Sequence, residues 1–74
     1  MSASIRSLPA YAQRADPTRL VRILCKGPCR KTRWGEMNAD YPGKDVLRNA
    51  QPGEFTATCL VCGYVARDQY NWFR

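Results

Sequence analysis

Cys59-Leu60-Val61-Cys62-Gly63-Tyr64 is the stretch that decides how this chain folds. Two thiols separated by two residues curl around one ion, because the turn between them aims backbone N–H groups at the sulfurs. A glycine directly after the second thiol supplies the positive φ that lets the chain leave so tight a loop. Upstream, beyond residues 30–58, stands a partner for it, Cys25-Lys26-Gly27-Pro28-Cys29. The 74-residue chain contains these four cysteines and no histidine. Two such half-sites complete a tetrahedral four-sulfur shell of the kind zinc accepts in structural sites, so Cys25, Cys29, Cys59 and Cys62 are the candidate ligands of one Zn2+ per chain.

Length points the same way. A chain of 74 residues allows one domain whose core is too small to be comfortable, and a staple is expected. Two disulfides or one metal would serve. Met1 to Leu20 has no apolar core of the kind a secretory leader needs. No run approaches the roughly eighteen apolar residues of a membrane span. The reading is therefore a cytoplasmic protein with no membrane association, in a compartment where thiols stay reduced and paired cysteines hold metal.

Charge is unevenly spread. Up to Arg33 there are eight basic residues, Arg6, Arg14, Arg19, Arg22, Lys26, Arg30, Lys31 and Arg33, against Asp16 alone, a net of +7. From Trp34 onward Lys44, Arg48, Arg67 and Arg74 face Glu36, Asp40, Asp45, Glu54 and Asp68, a net of −1, which makes up the overall +6. Clustering of this kind attracts nucleic acid or an acidic protein surface; a solvated face that serves only solubility is the plainer alternative.

Residues 1–17, rich in Ser, Ala and Arg and broken by Pro9 and Pro17, read as a flexible basic arm with room for a short helix over residues 9–15. Residues 18–74 read as the folded domain. Thr18 to Leu24 is ambiguous between helix and strand; Val21, Ile23 and the immediate entry into Cys25 favour strand. A second strand is expected over residues 30–37, with Thr32 and Trp34 on one face and Lys31 and Arg33 on the other. In the connection that follows, Tyr41-Pro42-Gly43 and Gln51-Pro52-Gly53 suit type II turns. Between those turns, residues 45–49 suit one helical turn capped by Asp45. Further strands are expected over residues 54–58 and 64–70.

Strand, cysteine loop and strand, then a long excursion, then the same again, resembles the zinc-ribbon superfamily from about Leu20 to Tyr70. The resemblance rests on the two cysteine pairs, on Gly63-Tyr64 and on the basic strand Arg30-Lys31-Thr32-Arg33. It implies a small metal-stabilised β fold, antiparallel strands around two cysteine loops. The first loop departs from the pattern: it has three intervening residues, and Arg30 stands where glycine is expected, a strain the extra residue is expected to relieve. The second loop is also similar to that of rubredoxins, which carry iron and shuttle electrons, but the first loop and the basic charge depart from those acidic proteins.

A four-thiolate shell leaves no open position for water or substrate. With no histidine and only scattered carboxylates, the chain does not read as an enzyme. The expected role is a monomeric nucleic-acid-associated module, an accessory or regulator of transcription or translation, contacting its partner through Arg19, Arg22, Lys26, Arg30, Lys31, Arg33 and Trp34. The alternative is an adaptor or inhibitor docking an acidic surface such as that of RNA polymerase, as small phage regulators do. Trp34 itself is read first as a core residue and second as a stacking platform.

Overall fold

The computed structural model describes residues 8–68 and Trp72. Four antiparallel strands lie in sequence order across one sheet: β1 (Leu20–Leu24), β2 (Thr32–Met37), β3 (Ala57–Cys59) and β4 (Val65–Ala66). The β1–β2 hairpin runs in register from Leu20 opposite Glu36 to Leu24 opposite Thr32. Gly35 then faces Cys59 across β2–β3, and Ala57 faces Ala66 across β3–β4.

The period-two alternation of side chains gives this sheet two unlike faces. Val21, Ile23, Gly35, Met37, Ala57, Cys59 and Ala66 point to the same side and are all buried. With Cys25, Leu47 and Trp72 most of them form the main core, and Tyr41, Phe55 and Tyr64 pack at its edge. Gly35 is glycine because the sheet is closest there: a Cβ would lie 3.0 Å from Ile23 Cδ1 and 3.1 Å from the Thr58 carbonyl oxygen. The opposite face carries Leu20, Arg22, Trp34 and Thr58, and residues 8–15 lie across one end of it.

That covering segment corrects the reading of residues 1–17 as a flexible arm. Residues 1–7 lie outside the described residues. From Leu8 onward the segment is packed: Leu8 and Ala12 are buried with Leu20, while Tyr11, Ala15, Trp34 and Leu60 close around them. The Trp34 N–H donates to the Tyr11 hydroxyl at 3.0 Å, satisfying a backbone donor that β3 is too short to reach. Its helix is a single 3-10 turn, Ala10–Ala12. Three spaced apolar residues in a polar composition look too few to offset ordering, but a sheet with an apolar patch on its second face supplies the area they need.

The ambiguity before Cys25 resolves into both alternatives in succession. Asp16 accepts from the Thr18 N–H (2.9 Å) and hydroxyl (2.8 Å), capping a one-turn 3-10 helix, Pro17–Arg19, before β1 begins. These bonds, the backbone one foremost, hold the Asp16 carboxyl below its usual range. The helical turn in the connection is α1 (Lys44–Asn49), which buries Leu47; Gly43, not Asp45, precedes its first residue, and no side chain caps it. Gly43 stands at φ 110° and ψ 155°, which is not a type II turn. At Gln51-Pro52-Gly53 the expected turn forms: the Glu54 N–H donates to the Gln51 carbonyl at 3.0 Å and Gly53 takes φ 83°.

The last two strands are shorter than expected. Before Ala57 the pairing with β2 is finished by Asn38, whose N–H donates to the Thr56 carbonyl (3.0 Å) and whose Oδ1 accepts from the Thr56 N–H (3.1 Å). β4 spans only Val65–Ala66; residues 69–71, 73 and 74, and with them the end of the strand expected over residues 64–70, lie outside the described residues. Trp72 is buried in the main core.

Candidate metal centre

Cys25 follows directly on β1, and Cys59 is the last residue of β3, so each pair begins where a core strand ends. The two loops close alike. The Cys25 N–H donates to the Lys31 carbonyl (3.0 Å), and the Cys59 N–H donates to the Tyr64 carbonyl (2.7 Å). In each case the acceptor is two residues past the second cysteine. The residue between takes positive φ in both loops, 52° at Arg30 and 82° at Gly63. The longer first loop therefore does not relieve Arg30 of the left-handed conformation; it holds an arginine where only glycine is free of strain.

This matched folding brings four sulfurs together. The Sγ atoms of Cys25, Cys29, Cys59 and Cys62 all lie within 4.8 Å of one another, with Cys25 and Cys62 at 3.3 Å. All four are free thiols rather than disulfides. A tetrahedral tetrathiolate with metal–sulfur bonds of about 2.3 Å has sulfurs about 3.8 Å apart, within this range. The four sulfurs can hold one metal ion, and a small antiparallel sheet with such a cluster is compatible with a zinc-binding module.

The electrostatics divide the ligands into an inner and an outer pair. Cys25 and Cys59 are buried, Cys29 and Cys62 half-buried. Burial pushes the Cys25 thiol up, and the neighbouring Cys62 adds to this, outweighing the Gly27 and Cys29 N–H groups that point at the sulfur. Cys62 is held down at about 6, chiefly by the Tyr64 N–H.

The basic residues singled out from the sequence are scattered in their employment. Arg19 pairs with Asp40 (3.3 Å) and Lys26 with Asp68 (3.3 Å). The Arg22 guanidinium lies 5.9 Å from the centre of the Trp34 ring. Trp34 is half-buried and packs against Leu8, Ala12 and Leu20. Arg33 turns to the sulfur side of the sheet, and the Cys29 sulfur beside it strengthens its hold on its proton. Arg30 and Lys31 are exposed at the tip of the first loop.

Two supports of the site escaped the sequence reading. Gly35 carried the signal of a lone glycine inside a strand pattern, which marks close backbone approach. Leu60, packed under residues 8–15, carried none. Among the described residues no helix is long and apolar enough to cross a membrane. Compared with protein-family models, with curated proteins and with solved structures, the chain matches none.

Proposed function

We propose that Cys25, Cys29, Cys59 and Cys62 hold one structural zinc ion in a zinc-ribbon arrangement, and that the protein is a cytoplasmic, monomeric nucleic-acid-binding module rather than an enzyme. The observation that carries the metal half is the convergence of four reduced sulfurs from two similarly closed loops. Zinc bound there would neutralise half the thiolate charge and fix both loops; four sulfurs around it leave no position for a reacting water.

The partner half rests on the tip of the first loop. A zinc tetrathiolate carries a charge of about −2, which offsets much of the field of Lys26, Arg30, Lys31 and Arg33. Lys26 also shares its charge with Asp68. The positive charge available to a partner is therefore concentrated on Arg30 and Lys31, both exposed at the tip of the first loop. Two phosphate contacts give a slope of log affinity against log salt of about −2. Fluorescence anisotropy with a labelled oligonucleotide at several salt concentrations tests this. The double reversal Arg30→Glu with Lys31→Glu should abolish binding while the fold survives, since exposed charges contribute little to stability. Absence of binding at low salt, with a specific protein retained from lysate after nuclease treatment, would replace this reading with the adaptor.

A further inference from the structure

Arg33 is unlike the other basic residues of this chain. It lies on β2 opposite Ile23, and Gly35, two residues on, is paired with Cys59, so Arg33 projects from the face of the sheet that bears the sulfurs. The residue as a whole is half-buried, but its Nε is covered and has no hydrogen-bond partner. Among the described residues the ion pairs formed are Arg19–Asp40 and Lys26–Asp68, and neither supplies Arg33 with a carboxylate. The group that acts most strongly on its guanidinium is the Cys29 sulfur, ahead of the Tyr11 hydroxyl and Cys59. A buried cationic donor without an oxygen acceptor is costly, whereas an anionic sulfur beside it removes the cost by accepting a charge-assisted hydrogen bond.

We propose that Arg33 is the counter-charge of the metal centre, donating N–H to the Cys29 thiolate and setting how tightly a thiophilic divalent ion is held. This inference rests on the four-cysteine metal reading. It also removes Arg33 from the partner-binding surface. Four thiolates around a divalent ion leave two negative charges in a half-covered site, and one guanidinium halves that excess. The planar fork suits it to reach a sulfur with one N–H while others remain at the solvent rim. Groups that hydrogen-bond metal ligands typically change metal affinity by about 10- to 100-fold when removed.

The test is zinc competition against a chromophoric chelator, using the full chain and its variants Arg33→Met, Arg33→Gln, Arg33→Lys and Lys31→Met. Arg33→Met should lower zinc affinity about 10- to 100-fold. Lys31→Met, which removes the same charge two residues away at an exposed position, should change it by less than about threefold. Cobalt supplies a second readout. Losing an N–H donor raises the energy of the sulfur lone pairs, so the sulfur-to-cobalt charge-transfer band of Arg33→Met should move to longer wavelength. Wild-type affinity and an unshifted band in Arg33→Met would overturn the proposal. If Arg33→Met fails to fold, Arg33→Gln, which keeps polarity but not the charge, decides: affinity equal to wild type overturns the proposal, and a loss of about threefold or more supports it, while Arg33→Lys, which keeps the charge and a donor, should stay closer to wild type than Arg33→Gln. A wild-type chain that takes up no zinc would overturn the metal reading itself, and this inference with it.

Discussion

The two cysteine loops reach the same backbone geometry with different residues. Each is closed by the first cysteine's N–H on the carbonyl two residues past the second, and each leaves through a left-handed residue. The second loop does so with two intervening residues and Gly63, at no steric cost. The first uses three and forces Arg30 to φ 52°. The second is also buttressed from outside, since Leu60 packs beneath Leu8, Ala12 and Leu20, whereas Lys26, Pro28 and Arg30 of the first are exposed. The convergence of the four sulfurs thus accompanies a shared hydrogen-bond scheme, and the loops differ in what packs against them.

The largest contrast runs within each loop rather than between them. Structural zinc contributes on the order of 10 kcal/mol at neutral pH, comparable to the whole margin of an ordinary domain. Cys25→Ser and Cys59→Ser, which place a hydroxyl in the buried half of the site, should abolish the dispersed amide spectrum even with zinc in excess. Cys29→Ser and Cys62→Ser leave three thiolates and a rim position that water can fill. These variants should fold with zinc, at an affinity lowered by at least about 100-fold, beyond the loss of any outer partner. Equal behaviour of inner and outer cysteines would remove the distinction.

Next in size is the buttress of the second loop. Leu8→Ala should cost about 2 kcal/mol, the low end for a buried leucine because the site lies at a rim. That corresponds to a fall of about 8–16 °C in the melting temperature of a domain this small. Hydrogen exchange should quicken at Leu60 and Cys62 more than at Lys26 and Cys29. An unchanged melting temperature would restore the flexible arm.

The exits give the smaller, reciprocal pair. Gly63→Ala adds a Cβ with nothing within 4 Å of it, so its cost is the left-handed backbone alone, about 1 kcal/mol. Arg30→Gly removes the same strain and should raise stability by up to ~1 kcal/mol, less whatever the more flexible unfolded chain takes back. Thermal melts of the zinc-loaded proteins check both signs. The last is the point where the loops touch: a Cβ on Gly27 would meet Tyr64 Cβ at 3.1 Å, an atom fixed to backbone that the Cys59 N–H holds, and Gly27→Ala should cost about 1 kcal/mol, the low end for overpacking because a few tenths of an ångström suffice.

Sequence alone carried the four-cysteine cluster and the four strands, because cysteine spacing and period-two patterning are local signals. Gly63 was legible for the same reason. Arg30 was not: its side chain announces no positive φ, and only the closing hydrogen bond requires it. The direction of Arg33 was half legible. Alternation put it opposite Trp34, but nothing local says which face carries the sulfurs. Residues 8–15 were misread because their partners, Leu20, Trp34 and Leu60, come together only once the sheet exists, and composition cannot register an apolar patch assembled from three separate segments.

The central claim is that these two loops fold around one metal ion. Stepwise addition of zinc to the reduced, metal-free protein, followed by its amide spectrum, tests that most directly. Dispersed resonances should grow in with zinc and stop changing at one equivalent per chain, with all four cysteines then protected from alkylation. A spectrum already dispersed before zinc is added, and unaltered by it, would contradict the account.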